Sequence, residues 1–335
     1  MPKKDSPSLA MIMCVRDEKD LIGANLAYHH ALGVSRAYIF NYRSEDSTAD
    51  IVRSFPWAEV INAPSDHSRP FEEHQNRCAD EALKMAREDG IDWLMFIDAD
   101  EFAFAENTPF GILGRFFPPV RRLKELSLLE RGDLRHMLKG VRRRTKQVIL
   151  ETKEVLPLAV PEDKPFWELH YCHKKGLENR QVLDPLTGDI KPLPWFGQTM
   201  GKAIVRTNAD VQAAHSHRWT WNQGTSIPRV IHLPSERKGF IYHFVFFNIH
   251  NWMSKFRKHS YFPERYIRGG LIDFPKSSWK IASVRMSDEE AKHYFTKWVA
   301  LSPDEIRKFC TDGTVTKETE VEDVLLGTGW LKPTP

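Results

Sequence analysis

Three polar clusters in the first hundred or so residues combine side chains that bind cations, phosphates or sugar hydroxyls: Arg16-Asp17-Glu18, the stretch from Asn41 to Asp46, and Asp98-Ala99-Asp100-Glu101. The last is the sharpest. In an extended segment, residues two apart project to the same side, so both aspartates are expected to face one divalent cation. Mg²⁺ or Mn²⁺ accepts a few protein oxygens and fills its shell with water and substrate phosphate. At such a site it acts as a Lewis acid toward a diphosphate leaving group. The plainer alternative is a solvated acidic turn. Asp17 and Glu18 can accept hydrogen bonds from a ribose or base, or can complement the dipole of a following helix. Asn41 and Asp46 can likewise read a base edge or shape a turn.

The elements around these clusters alternate between strand and helix. Leu9–Val15 is a continuous apolar run, as expected of a strand buried on both faces. Residues 18–32 place Leu21, Ile22, Leu26 and Leu32 at helical spacing, and Gly33 ends that helix. A strand over 37–41, a helix over 48–55, a strand over 59–63 and a long helix over 70–89 follow. Trp93 to Ile97 is a fourth buried strand that runs directly into Asp98. This alternation predicts right-handed crossovers and a parallel sheet. In such a sheet ligands bind outside the carboxyl ends of the strands, where all three clusters fall.

The rest of the chain is less regular. Basic runs at Arg121-Arg122 and Arg142-Arg143-Arg144 bracket an amphipathic stretch, and short aromatic-rich segments begin near Phe166. The expected organisation is an α/β half over 8–120, a basic helical insertion over 121–165, a C-terminal half over 166–316 and a peripheral tail over 317–335. Composition is that of an ordinary folded protein, 41% hydrophobic and 28% charged. A net charge of +3 calls for no nucleic-acid partner. Four scattered cysteines suit a reducing compartment and neither a disulfide framework nor a structural zinc site. No apolar stretch approaches the roughly 20 residues that span a bilayer. The expected address is cytoplasmic, with peripheral membrane contact left open by the aromatic content.

In the C-terminal half, Lys202 and Arg206 can pair with a diphosphate, Arg as a fork and Lys as a point charge. His215 and His217 share a face if extended, and His243 follows an apolar run; His243 and His217 can supply an imidazole to a cation or a donor to a diphosphate. Each is equally readable as a satisfied, partly buried histidine. Glu168, set among Phe166, Trp167 and Leu169, is the candidate catalytic base, with Asp163, Asp184, Asp189 and Glu101 as rivals.

The residues from Met13 to Thr48 resemble the opening of the family-2-like glycosyltransferases, including the branch related to family 92: an apolar strand, Arg-Asp-Glu, a helix, His-x-x-Leu-Gly-Val, an apolar strand and a polar turn. Gln75-Asn76-Arg77 and the run from Asp92-Trp93 to Asp98-Ala99-Asp100-Glu101-Phe102 continue the likeness. Gly201-Lys202-Ala203-Ile204-Val205-Arg206, His215-Ser216-His217 and Ile241-Tyr242-His243-Phe244 are similar to later family segments. The resemblance covers residues 9–105 well and 195–260 loosely. It implies a GT-A fold, Rossmann-like with a mainly parallel sheet flanked by helices, and an irregular aromatic-rich C-terminal part. It further implies a nucleotide-diphospho-sugar donor, UDP-sugar favoured, a glycan or glycolipid acceptor, and Mn²⁺ or Mg²⁺. Arg16, Asp17, Glu18, Asn41, Asp46, Asn76 and Asp98 are the expected nucleotide contacts; Lys202, Arg206 and His217 the diphosphate contacts; and Asp98, Asp100 and His243 the metal ligands. Asn41-Tyr42 departs from the family's Asp-Asn. A metal-dependent hydrolase built on the His-x-His pair and a nucleotidyltransferase are the competing readings. The first leaves the strand-end clusters without a role, and the second lacks a Gly-rich phosphate loop after the first strand.

Overall fold

The computed structural model describes residues 6–63, 71–107, 126–159, 165–173, 177–183, 188–195, 201–215, 217–221, 230–232, 237–258 and 282–331. In chain order the early elements are β1 (Leu9–Val15), α1 (Ile22–Ala31), β2 (Arg36–Asn41), α2 (Thr48–Arg53), β3 (Ala58–Asn62), α3 (Phe71–Glu88), β4 (Trp93–Phe96) and β5 (Glu101–Asn107). Then come α4 (Leu128–Gly132), α5 (Leu134–Lys139), β6 (Gln147–Val155), β7 (Tyr171–His173), β8 (Leu177–Leu183), β9 (Ile190–Trp195) and β10 (Lys202–Arg206). The last are β11 (Val211–His215), β12 (Arg218–Trp221), β13 (Val230–His232), β14 (Arg237–His243), α6 (Ile249–Lys258), α7 (Asp288–Tyr294), α8 (Pro303–Thr311), β15 (Thr316–Lys317) and α9 (Glu320–Gly327).

The chain divides into two compact units. The first comprises Met1–Thr152, Met200–Tyr242 and Glu320–Pro335. Its sheet runs β6-β10-β4-β1-β2-β3. β1 pairs in parallel with both β2 and β4, and β2 with β3. The architecture is mixed α/β, with a mostly parallel central sheet flanked by helices. β1 is buried along nearly its whole length because side chains on both of its faces meet a covering layer. On one face Ala10, Ile12, Tyr38, Phe40, Leu94 and Phe96 pack with Ala79, Ala82, Leu83 and Ala86 of α3.

β10 enters antiparallel beside β4, with Ile204 opposite Met95 and Arg206 opposite Trp93. This reversal sends the start of β10 to the carboxyl end of β4 and its finish to the amino end.

Two regions differ from expectation. The stretch assigned to a basic insertion contains β6, a sheet strand beside β10. Its polar second half, Glu151 to Glu154, concealed it. The tail expected to be peripheral instead forms α9, which buries Val321, Val324 and Leu325 at helical spacing and packs on α1. Glu320 of that helix also accepts from Arg131 at 2.9 Å.

The second unit comprises Lys153–Thr199 and His243–Thr319. Its β8 and β9 form an antiparallel hairpin, and the end of β6 pairs with β7, which pairs with β15. Its core gathers Phe246, Ile249, Trp252, Tyr294, Phe295 and Leu301. Among the described residues no helix is long and apolar enough to cross a membrane.

Candidate functional site

The parallel register sets the edge on which chemistry can occur. Val15 lies opposite Asn41, and Asn41 opposite Asn62, so β1, β2 and β3 end at one level. β4 runs the same way, with Ile12 opposite Phe96, which brings Asp98 to that edge.

Asp98 to Glu101 do not continue the strand, as the two-residue spacing required. They form a tight turn in which Glu101 N–H donates to Asp98 O at 3.1 Å. Glu101 also accepts from Asp98 N–H through Oε2 at 2.9 Å, so the turn is closed from both ends. The expected common projection of the two carboxylates is therefore replaced by turn geometry. Asp98 keeps about a third of its side chain exposed (35%), whereas Asp100 and Glu101 are buried.

Lys202, the first residue of β10, is the counter-ion of this turn. Its Nζ lies 2.7 Å from Asp98 Oδ2 and 3.1 Å from Glu101 Oε2, and it sits over the Phe96 ring. Burial alone would depress the pKa of this ammonium, but the two carboxylates outweigh burial and raise it above the ordinary lysine range. Lys202 is therefore a permanent buried charge. Expected against a diphosphate, it is here paired with two carboxylates of the protein.

The other expected residues divide by position. The loop after β1 and the loop after β2 are laced together. Asp17 N–H donates to Ser44 Oγ at 2.9 Å, Glu45 N–H to Asp17 Oδ1 at 2.7 Å, and Glu18 N–H to Thr48 Oγ1 at 2.7 Å. Asp46 accepts from Thr48 N–H at 2.9 Å and from Lys19 N–H at 3.2 Å. Arg16 Nε stands 3.7 Å from Asp17 Oδ2. Asp17 and Arg43 hold left-handed backbone conformations, φ 54° and 55°, which few residue types adopt without strain. Asn41 Oδ1 accepts from Ser44 N–H at 3.0 Å, so it shapes this turn. Asn76, on α3, donates to Ala214 O at 3.1 Å.

His217 is tied to the edge that holds Lys202. Its Nδ1 lies 2.8 Å from the carbonyl of Gly201; since a carbonyl only accepts, that nitrogen carries the proton. Arg206 is placed elsewhere. At the far end of β10 its guanidinium stacks 4.1 Å from the Trp93 ring centroid and donates to Thr145 O at 2.8 Å. The structure does not bring it to the carboxyl edge.

His243 and Glu168 belong to the second unit. His243 Nδ1 lies 3.0 Å from Glu154 Oε2, and both side chains are buried. Glu168 ends a single helical turn, Phe166–Glu168, beside buried Phe166. Asp163 and Asp184 lie outside the described residues; Asp189 is exposed. Trp219 is packed in the sheet core of the first unit.

No protein-family model matches the chain, and no curated protein matches it in sequence. Several solved structures share parts of it. Mannosyl-3-phosphoglycerate synthase from Rubrobacter xylanophilus is 17% identical over 45% of this chain and 41% of that one, with a TM-score of 0.27. Glucosyl-3-phosphoglycerate synthase from Mycobacterium tuberculosis, in complex with Mn²⁺, uridine diphosphate and glucosyl-3-phosphoglycerate, is 14% identical over 44% of each chain, TM-score 0.27. S. aureus TarS 1–349 is 10% identical over 87% of this chain and 72% of that one, TM-score 0.37. In these alignments the chain spans less than half the length of the two synthases. Likeness at this level assigns neither a family nor an activity.

Asp98, partly exposed at this edge, and Asp100, buried beside it, are the carboxylates that could hold a hard divalent cation. Among the described residues no group of three or more histidines, cysteines or acids gathers in one place. A cation there would draw on one or two carboxylates and on substrate oxygens, the usual arrangement for Mg²⁺. Sequence reasoning gave no role at this turn to two residues that contact it or the strand after it, Asn25 and His29. Asn25 and His29, one turn apart, are polar residues on a helix face that is otherwise buried and apolar, and that mismatch was the available signal.

Proposed function

We propose that the protein is a glycosyltransferase that takes a nucleotide-diphospho-sugar donor, a UDP-sugar in the favoured case. It moves the sugar to a hydroxyl of a glycan or glycolipid acceptor, with inversion at the anomeric carbon. The observation that supports this reading is the Asp98–Glu101 turn standing at the carboxyl edge of a parallel sheet, beside the laced loops that carry Asp17 and Asp46. A parallel α/β sheet binds ligands at this edge. The glycosyltransferase-like motif covers the same residues.

In this reading Arg16, Asp17, Glu18, Asn41, Asp46 and Asn76 line the nucleotide side. Asp98 and Asp100 would hold Mn²⁺ or Mg²⁺, and His217, as an imidazolium protonated on Nε2 as well, would donate to the diphosphate. The cation would supply charge neutralisation for the departing nucleoside diphosphate. Inversion requires one carboxylate to take the acceptor proton as the hydroxyl attacks; Glu168 is the candidate. Four scattered cysteines, none in a disulfide, accord with a reducing, cytoplasmic setting.

The test is a thermal-shift series with UDP, GDP and CDP, each with and without Mn²⁺. UDP with Mn²⁺ is expected to raise the melting temperature more than UDP alone, because a ligand at 100 times its Kd stabilises by about 2.7 kcal/mol. No shift with any nucleotide at millimolar concentration would overturn the assignment.

A further inference from the structure

Against the backbone of the carboxylate turn, two residues of α1 form a closed hydrogen-bonded relay. Asn25 is completely buried. Its Nδ2 donates to Ala99 O at 3.0 Å and to Glu101 O at 2.8 Å, the two carbonyls that flank Asp100. His29, one helical turn later and equally buried, lies with Nδ1 2.8 Å from Asn25 Oδ1 and 2.9 Å from Asn25 O. On its far side Nε2 is 3.0 Å from Ala103 N.

Only one protonation pattern satisfies all of these contacts. A backbone amide always donates, so His29 Nε2 must accept from Ala103. Nδ1 must then carry the ring proton and donate to Asn25 Oδ1. That fixes the Asn25 amide with its oxygen toward His29 and its NH₂ toward the turn. Burial holds His29 neutral by lowering its pKa to about 4. Donors and acceptors therefore run unbroken from β5, through α1, to the backbone on either side of Asp100.

We infer that Asn25 and His29 are positioning residues that set the backbone of the Asp98–Glu101 turn and thereby the orientation of its carboxylates. The inference rests on the reading of that turn as the nucleotide–metal site for its functional consequence, but not for its structural claim. A glycosyltransferase-like site needs its charged groups held to within a fraction of an ångström. Neither residue touches a ligand in this arrangement. Each acts through the peptide groups of the turn.

The experiment compares wild type with Asn25→Leu, His29→Leu and His29→Gln. Gln can place an amide NH toward Asn25 and an amide oxygen toward Ala103, so it should replace the imidazole. Backbone amide exchange and the Kd for UDP with Mn²⁺ are read in parallel. The two leucine variants are expected to accelerate exchange about tenfold at Glu101 and Ala103, leaving the strand amides of β1 and β2 unchanged. They are also expected to weaken UDP–Mn²⁺ binding about tenfold, the effect of losing an outer-shell partner. His29→Gln should behave as wild type in both readouts. If a leucine variant does not fold, His29→Asn, too short to reach both partners, should give the same localised acceleration. Exchange that is unchanged at Glu101 and Ala103, or raised uniformly through the sheet, would overturn the inference. Wild type that binds no UDP with Mn²⁺ would overturn the functional reading instead, and the exchange arm would still decide whether the relay positions the turn.

Discussion

Lys202 places its ammonium nitrogen 2.7 Å from Asp98 Oδ2 while its own side chain is completely buried. The charge cannot be released to solvent, and Glu101, also buried, depends on it at 3.1 Å. Replacing Lys202 with Met keeps the volume of the stem and removes the charge. The buried Glu101 carboxylate then loses its ammonium counter-ion, a loss of about 3–5 kcal/mol in stability. Urea unfolding at pH 7 measures it. A change below about 1 kcal/mol would show that the pair contributes nothing net. In folded Lys202→Met, UDP–Mn²⁺ affinity should also fall, because the position of Asp98 is no longer fixed from the β10 side.

Asp98→Asn and Asp100→Asn separate the two aspartates' roles. Asp98 is the more exposed, and the ion pair with Lys202 engages one of its oxygens. Asp98→Asn should weaken Mn²⁺-dependent UDP binding by more than about 100-fold, beyond the loss seen when partners outside a metal's own ligands are removed. Metal-free UDP binding should change little. Isothermal titration with and without Mn²⁺ provides both values for each variant. Equal loss in the presence and absence of Mn²⁺ would assign Asp98 to the nucleotide rather than to the cation.

Much of the first unit was legible because its signals are local. The apolar runs at Leu9–Val15 and Trp93–Phe96 are strands buried along nearly all and all of their length, and their burial on both faces is what removes alternation from the sequence. The laced loops and the position of Asp98 follow from where those strands end. What sequence could not give was long-range pairing. Lys202 and Asp98 are 104 positions apart, and only the antiparallel entry of β10 brings them together. β6 was hidden because Lys153 and Glu154 are buried, Lys153 in an ion pair with Glu318 and Glu154 beside His243 Nδ1 at 3.0 Å. Their charges read as solvent-facing in a sequence. The turn at Asp98–Glu101 defeated the two-residue periodicity argument because the strand stops two residues before Asp98. Asp98, Glu101 and Lys202 were each in view, but the ion pairing among them was not.

His29 predicts a pH dependence of stability with a definite sign. Its folded-state pKa is lowered to about 4 from an ordinary value of 6.5, by burial first, against an opposing hydrogen bond to Asn25. The unfolded chain therefore binds the proton more readily. The neutral imidazole's contribution is fully present above pH 6.5 and is lost as pH falls toward and through 4. Between pH 7 and 4.5 the loss is about 2–3 kcal/mol. His29→Gln removes the titrating group, so its stability should fall by that much less over the same interval. Urea unfolding of both proteins at the two pH values tests it. Identical pH dependence would show that His29 does not stay neutral in the fold.

Gly201 is the position at which the smallest substitution should do the most damage. It holds a left-handed backbone with φ +60°, and a Cβ there would stand 2.0 Å from Leu150 O. That oxygen belongs to β6, the neighbour of β10 across the antiparallel ladder, so it cannot swing aside as a side chain would. Gly201→Ala must therefore displace the start of β10. Left-handed strain alone costs about 1–2 kcal/mol, and displacement of the ladder brings the expected loss to about 3 kcal/mol or more. The same shift moves Lys202, the next residue, and the carbonyl that His217 holds at 2.8 Å. UDP–Mn²⁺ binding should weaken together with stability. A variant at an exposed left-handed glycine separates this local effect from general strain. Gly313, φ +74°, has no atom within 4 Å of where a Cβ would stand, so Gly313→Ala should lower stability by only the backbone term and leave nucleotide binding unchanged. Equal behaviour of the two alanine variants would show that Leu150 does not constrain the start of β10.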